Sequence, residues 1–477
     1  MTAGHHPATP VEDTDGTRVI WLLVGSAFVM ILNETIILVA LPAVIADLGV
    51  PVTTAQWLTS GFLLTMAVVI PITGFLLQRF PPRGVYLTSM ALFCSGTLLA
   101  ALAPGFGVLM TGRIVQAAGT AVMVPLLMTS VIRLVPAERR GAMMGTITVV
   151  IAVAPAVGPT VSGLILSVFG WRVTFWAVLP IALLALAAGA RWLRVTSETR
   201  HVPLDLVSVP LTIVAFGGIV WGLTAVGESA RGHSPVPVWL PIVVGVVAMV
   251  AFVARQLRLQ REERALLDLR PLAHRAFAVP VVLMALTFMA LFGVLILMPL
   301  YLQDVLGAAP FVTGLVLLPG GLVMGLLGPI VGRLYDRYGV RPLAIPGAAV
   351  AAGALWAFVT LDASSSLWQL VAMHVVLVIG VSFMITPLMT DALGQLPTGM
   401  DAHGSAIVAT LQQVAGAAGT ALFVTVMALA STGAGAGADA DGARVAFLTA
   451  ALIATAAAPL TLFTGARSRE PAVARPG

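Results

Sequence analysis

Pro71-Ile72-Thr73-Gly74-Phe75-Leu76-Leu77-Gln78-Arg79-Phe80-Pro81-Pro82-Arg83 returns 258 residues later as Pro329-Ile330-Val331-Gly332-Arg333-Leu334-Tyr335-Asp336-Arg337-Tyr338-Gly339-Val340-Arg341. Proline, isoleucine, glycine, leucine and both arginines coincide without a gap. Each copy closes an apolar run, at 54–77 and at 311–332. Working outward, fourteen such runs lie between residues 18 and 465, each long enough for a membrane-spanning helix. The first begins near 18 and the ninth near 277, almost the same offset, so spans 1–6 and 9–14 read as two copies of one unit in the same orientation. The expectation is an all-α integral membrane protein with 14 transmembrane helices: two parallel six-helix halves plus a two-helix insertion. The corresponding boundaries are a cytoplasmic tail at 1–17, a first bundle at 18–193, inserted helices at 205–255, a cytoplasmic linker at 256–276, a second bundle at 277–465 and a tail at 466–477. Parallel halves related by an axis along the membrane normal are a transporter architecture, with the substrate held between the halves near the midplane.

Composition agrees. In 477 residues, 59% are hydrophobic, only 9% are charged, and the mean hydropathy is +1.03. A soluble domain carries about 25% charged residues. The single cysteine, Cys94, rules out an intramolecular disulfide and a Cys-rich metal site. All 25 basic residues are arginine. Without lysine the chain has no Walker A motif, so ATP hydrolysis by that route is excluded, as is a lysine Schiff base. The net charge of +5 fits positive cytoplasmic loops better than nucleic-acid binding. With the N-terminus inside, all arginines but four fall on the cytoplasmic side. The four are Arg113, within a span, and Arg172, Arg231 and Arg444 outside. Both termini are therefore expected in the cytoplasm of a multi-pass inner (plasma) membrane protein. The basic connection 255–275 (RQLRLQREERALLDLRPLAHR) reads as a solvated, partly helical linker, and 431–443 as a flexible outer loop by composition.

Further motifs carry a resemblance. Leu32–Pro42 reads LNETIILVALP, and span 4 holds Arg113-Ile-Val-Gln116-Ala-Ala-Gly119. Span 5 holds Ala154-Pro155-Ala-Val-Gly158-Pro159-Thr-Val-Ser-Gly163. Met298–Leu322 reads MPLYLQDVLGAAPFVTGLVLLPGGL, and His403–Val424 reads HGSAIVATLQQVAGAAGTALFV. Together with the repeat, nearly the whole chain resembles the major facilitator superfamily, in particular its drug:proton antiporters with fourteen spans and the multidrug and lincomycin-efflux branch. Ala117 and Ser162 stand where that family commonly has glycine, and Gln78 stands where it has aspartate. The resemblance implies a gating salt bridge for the second loop copy, which keeps Asp336. It also implies conformational roles for Gly74, Arg79, Arg83, Gly332, Asp336, Arg337 and Arg341.

Charges inside apolar runs single out the chemistry. Glu34 and Arg113 each lie about seven residues from the outer end of their spans, hence at one depth about 10 Å below the surface. A carboxylate or guanidinium there must face protein or a water cavity, and both residue types are rarely tolerated in spans without a function. Glu34 is the candidate proton carrier, with a structural carboxyl as the alternative. Arg113 is its modulator or a static anchor. His374, the one mid-membrane histidine, is a packing residue or a second proton carrier. Asn33, Trp57, Met66, Gln116, Gln412, Gln413 and Phe28 are candidates for the wall of a binding cavity, since amides orient a ligand and aromatic or Met surfaces accept many shapes. Gly158, Pro159 and Gly163 suit a kinked, tightly packed seam that acts as a hinge or only packs, and Gly416 and Gly419 suit packing. Asp205 is expected to cap the start of span 7.

The function these features favour is secondary active export of amphipathic drugs or toxic metabolites in exchange for protons, by alternating access. No cofactor is expected besides the proton as coupling ion, no metal, no nucleic acid and no ATP; the partners are small amphipathic molecules, protons and membrane lipid. A symporter or uniporter for one metabolite is the alternative within transport. A non-transporting receptor would not need the repeat. A membrane enzyme is disfavoured by the absence of HExxH and GxSxG motifs and by the scarcity of intramembrane charge.

Overall fold

The computed structural model describes residues 13–50, 52–193, 205, 207–229, 237, 239–308, 310–397, 399–430 and 440–465. No strand occurs among them. The helices are α1 (Asp13–Leu48), α2 (Val52–Arg79), α3 (Pro82–Ala101), α4 (Phe106–Leu134), α5 (Arg140–Val168), α6 (Arg172–Trp192), α7 (Ser208–Ser229), α8 (Trp239–Leu259), the short α9 (Arg270–Ala273), α10 (Arg275–Leu300), α11 (Pro310–Tyr338), α12 (Arg341–Phe358), α13 (Leu367–Gly394), α14 (Asp401–Ala430) and α15 (Ala440–Ala457). Fourteen of these are long. Over their described residues, twelve are apolar and long enough to cross a membrane; α5 and α7 are the other two. Helix is the form such runs must take in lipid, because it satisfies every backbone N–H and C=O within the segment.

One boundary lies earlier than the apolar run. α1 already begins at Asp13, within the segment 1–17 expected as the cytoplasmic tail. Residues 1–12, 194–204 apart from the flanking positions given above, 431–439 and 466–477 lie outside the described residues, and with them most of both expected tails and the outer loop.

The repeat is visible in matched contacts. Arg83 donates to the Ala190 carbonyl at the end of α6, at 2.8 Å. Its counterpart Arg341 donates to the Thr464 carbonyl beyond the end of α15, at 2.6 Å. Each half thus ties the start of its third helix to the end of its sixth. The start of α1, the ends of α2 and α11 and the chain after α15 share one side of the molecule, here termed the terminal side. On the far side, Asp47 at the end of α1 pairs with Arg172 at the start of α6, at 2.6 Å.

The halves meet along two seams. α5 of the first half packs on α11 of the second, and α2 packs on α14. Glycine permits the approach: a Cβ on Gly145 or Gly332 would overlap the backbone of Gly328 or Gly141 across the first seam. The inserted pair packs on itself at Gly218 and Gly245, and α7 lies against both α2 and α14. It therefore flanks the second seam and leaves the first free.

Candidate functional site

Arg113 is fully buried on α4. A charge so placed must find its partners in the protein, and four groups converge on it. Nη1 donates to Gln116 Oε1 at 2.8 Å and to Asn33 Oδ1 at 3.4 Å, and Nε donates to the Leu58 carbonyl at 3.4 Å. The guanidinium lies 4.0 Å from the centroid of the Phe62 ring, a cation–π contact in a dry setting. Gln116, one turn along α4, is held in turn by donating to Thr97 Oγ1 of α3 at 2.8 Å. Helix spacing explains the set: residues 113 and 116 share a face of α4, while α1 presents Asn33, α2 presents the Leu58 carbonyl and the Phe62 ring, and α3 presents Thr97 to Gln116.

The cluster is incomplete among its own members. Arg113 Nη2 and Asn33 Nδ2 are buried and have no hydrogen-bond partner among the described residues. Glu34, next to Asn33 on α1 and half-buried, interacts electrostatically with Arg113 without forming one of the close ion pairs. Leaving two buried donors unmet is costly, so an acceptor group that reaches them would be held there.

At the terminal side the two seams are closed by polar contacts between the halves. Asp336 of α11 accepts from the Gly141 and Ala142 N–H groups at the start of α5, at 2.7 and 2.9 Å. The expected salt bridge of this loop is thus a helix cap: two backbone donors and the positive end of α5, rather than an arginine, hold the carboxylate. In the other seam its counterpart Gln78 donates to the Gly399 carbonyl before α14, at 3.0 Å. Arg133 of α4 forms an ion pair with Asp401, the first residue of α14. Thr129 meets Ser405 at 3.2 Å and Thr148 meets Thr386 at 2.9 Å. Farther from that side, Gln413 Nε2 of α14 approaches Met66 Sδ of α2 at 3.9 Å.

These features, a buried polar cluster in one half and two glycine seams between repeated halves, frame the comparison with known proteins. The Major Facilitator Superfamily profile matches residues 23–420. The chain belongs to this superfamily. It is 38% identical over 474 residues to the uncharacterized MFS-type transporter YcnB of Bacillus subtilis, covering 98% of this chain and 99% of that one. It is 41% identical over 402 residues to the lincomycin resistance protein LmrB of Listeria monocytogenes, covering 84% of each. The solved proton:xylose symporter XylE shares the fold at a TM-score of 0.64 and 16% identity, over 94% of this chain and 95% of that one. Members of the superfamily are transporters, not enzymes.

Within this major facilitator fold, the expected site residues separate. Glu34, Asn33, Arg113 and Gln116 come together. Gln116 accepts from Arg113 through Oε1 and donates to Thr97 through Nε2, so it positions the guanidinium. Met66 and Gln413 face each other across the second seam, and Gln412 beside them is half-buried. Trp57 is elsewhere: it is largely exposed, its ring 6.3 Å from that of Trp221 on α7, and it packs against the insertion. Phe28 is half-buried on the edge of the main core. His374 is buried with its ring against Gly320 of α11, as a packing residue would be, and its Nδ1 has no partner among the described residues. Gly158 seats Thr35 of α1, and α5 stays helical through Pro159 and Gly163, whose side-chain surroundings lie outside the described residues. Gly416 and Gly419 pack on Phe292 and the Met289 backbone of α10. Gly74 and Gly332 line the seams, Arg79 and Arg337 lie against the rings of Phe80 and Tyr338, and Asp205 accepts the Ser208 N–H at the start of α7, at 3.1 Å. Sequence reasoning missed Phe62, Thr97 and the Leu58 carbonyl around Arg113, and the Arg133–Asp401 pair. Only the last carries a sequence signal, opposite charges at the ends of two apolar runs.

Proposed function

We propose that the chain exports amphipathic drugs or toxic metabolites across the plasma membrane in exchange for protons, by alternating access of a site between its halves. Its fourteen long helices all cross the membrane, and the terminal side faces the cytoplasm. The observation that carries this reading is the Arg113 cluster: a dry guanidinium with an open donor beside Glu34, the only other charge well inside an apolar run. Kinship with lincomycin resistance proteins favours export of drug-like molecules, and makes lincomycin the first compound to test.

In this mechanism Glu34 takes a proton from the outer side while the cytoplasmic seams are closed. Its neutral carboxyl leaves Arg113 Nη2 and Asn33 Nδ2 open. Once the seams part on the cytoplasmic side, drug entering between α2 and α14 competes for the same space, and the ionised carboxylate moves onto the two open donors as its proton leaves inward. Charge-assisted hydrogen bonds of this kind are about twice as strong as neutral ones, which favours the deprotonated form in that state. No nucleotide takes part, consistent with a chain that has no lysine for a phosphate loop.

The test is drug transport in proteoliposomes containing the purified protein. Glu34→Gln, which mimics the neutral carboxyl, is expected to abolish uphill efflux and drug-driven proton release while leaving the protein folded. Uphill transport by Glu34→Gln with undiminished proton release would move the coupling residue elsewhere, with His374 next in line.

A further inference from the structure

The connection between α8 and α10 is not the solvated linker its charges suggest. Arg261, Glu262, Glu263 and Arg264 are exposed, but Ala265, Leu266, Leu267 and Asp268 are buried. The chain reverses at Glu263, which takes a left-handed conformation with φ 54°, and the Arg264 N–H closes the turn on the Leu259 carbonyl at 3.0 Å. Gln256, fully buried at the end of α8, then shapes the returning chain. Its Oε1 accepts from the Leu266 and Leu267 N–H groups at 2.8 and 3.2 Å, and its Nε2 donates to Ser208 Oγ of α7 at 2.7 Å. Gln260 accepts the Leu269 N–H at 3.3 Å. Gln256 of α8 and Gln260 just beyond its end thus fold the connection back into a strap fixed to the inserted helices.

The strap ends on the seam. The Asp268 N–H donates to His403 Nδ1 at 3.2 Å, while the Asp268 carboxylate is held by Arg270. His403 is buried on the first turn of α14, in the second half, and its ring lies against Gly74 of α2, in the first. Asp401, two residues earlier, pairs with Arg133 of the first half. One imidazole therefore joins strap, first half and second half.

The two seams differ in the way this contact explains. The α5–α11 seam is capped by the Asp336 carboxylate. The α2–α14 seam has Gln78 at the matching position, an amide that reaches only a carbonyl. We propose that residues 264–270 are a detachable clamp, with His403 as its joint, that holds the α2–α14 seam shut on the terminal side in place of the missing carboxylate. Opening toward that side requires the joint to break, and the inserted pair α7–α8 serves as the clamp's anchor. The inference rests on the alternating-access reading but not on proton coupling.

The reporter is Thr129→Cys in a Cys94→Ala background, buried beside that seam where α4 meets Ser405 of α14, labelled by a small maleimide from the terminal side. Adding His403→Ala is expected to raise the labelling rate about fivefold, the effect of losing one hydrogen bond of ordinary net worth. His403→Asn, whose Oδ1 can occupy the place of Nδ1, is expected to stay within twofold of the parent. Gln256→Leu, which leaves His403 and the seam intact but frees the strap, should label like His403→Ala. Repeating the series with Glu34→Gln keeps proton coupling silent, so failure of the proton reading leaves these differences standing. Parent-like labelling of Gln256→Leu overturns the clamp even where His403→Ala does not fold. So does a His403→Asn protein that labels as fast as His403→Ala.

Discussion

Arg113 is held in three directions at once, and that sets what its neighbours can tolerate. Gln116→Leu removes the 2.8 Å acceptor and leaves a buried guanidinium with weaker company. A hydrogen bond to a charged group contributes about 1.5–3 kcal/mol, so a melting temperature lowered by several degrees is expected, with loss of most drug efflux. Arg113→Lys should fare no better, because a compact ammonium cannot reach Gln116, Asn33 and the Leu58 carbonyl together while lying on Phe62. Efflux reduced at least tenfold by both variants is the expected result of a resistance assay with expression controlled. The pH dependence is equally local. Arg255, at 2.6 and 2.7 Å, together with Ser208, holds the Asp205 carboxyl below the usual carboxylate range. A carboxyl lowered in the fold stabilises above its unfolded value of about 4 and loses that contribution only as pH falls through the folded value. Asp205→Asn should therefore lower the melting temperature equally at pH 5.5 and 7.5, as a thermal-melt series at the two pH values would show. Glu34 and Arg113 are legible in the sequence because charges in apolar runs are rare. Phe62, Thr97 and Leu58 are not, because any span carries such residues, and only the packing of α2 and α3 on α4 brings them to the guanidinium.

Helix pairs decide how the seams move. A Cβ on Gly332 would overlap the Gly141 backbone, and one on Gly145 would overlap Gly328, so no rotamer of a larger side chain relieves the clash. Gly332→Val and Gly145→Val should leave each half folded, keep the α5–α11 seam from closing and abolish efflux, with cysteines in that seam labelled rapidly from the terminal side. Asp336→Asn is milder. It keeps the shape but removes the charge that faces the start of α5, where a cap and the helix dipole together contribute about 1–2 kcal/mol. A shift of roughly tenfold toward the open arrangement is expected in the same labelling assay. The two loops are legible as a pair because their glycines and arginines keep one spacing, and Arg83 and Arg341 do make matching bonds. Their chemistry is not: the resemblance and the neighbouring arginines suggest an ion pair for Asp336, while the donors that hold it are backbone N–H groups that belong to another helix. The strap is hidden for a similar reason. Gln256 and Gln260 look like ordinary polar linker residues until the left-handed turn at Glu263 folds the buried Leu266 and Leu267 back onto them.

On the proton-exchange function proposed above, the whole molecule converts a membrane gradient into work, and its topology sets the sign. If the terminal side is cytoplasmic, cysteines replacing Asp47, Ser234 and Thr432 should react with impermeant reagents on intact cells, and one replacing Glu262 should not; labelling at 262 would overturn the orientation. With that orientation, a proton moving inward through Glu34 gains about 2.3 kcal/mol from a voltage of ~100 mV, and about 1.4 kcal/mol more for each pH unit. The voltage alone sustains a gradient of roughly fifty-fold for a neutral drug exchanged one for one. A single coupling carboxyl makes the voltage dependence differ between substrates. Neutral drug out against one proton in moves net charge, so both the voltage and the pH gradient drive it. A monocationic drug exchanged for one proton moves none, and only the pH gradient remains. In proteoliposomes, a valinomycin-clamped voltage should therefore accelerate export of a neutral compound and leave export of a monocation unchanged, while an imposed pH gradient drives both. Equal voltage dependence for the two would require a second proton, and with it a second titrating group that the Arg113 cluster does not supply.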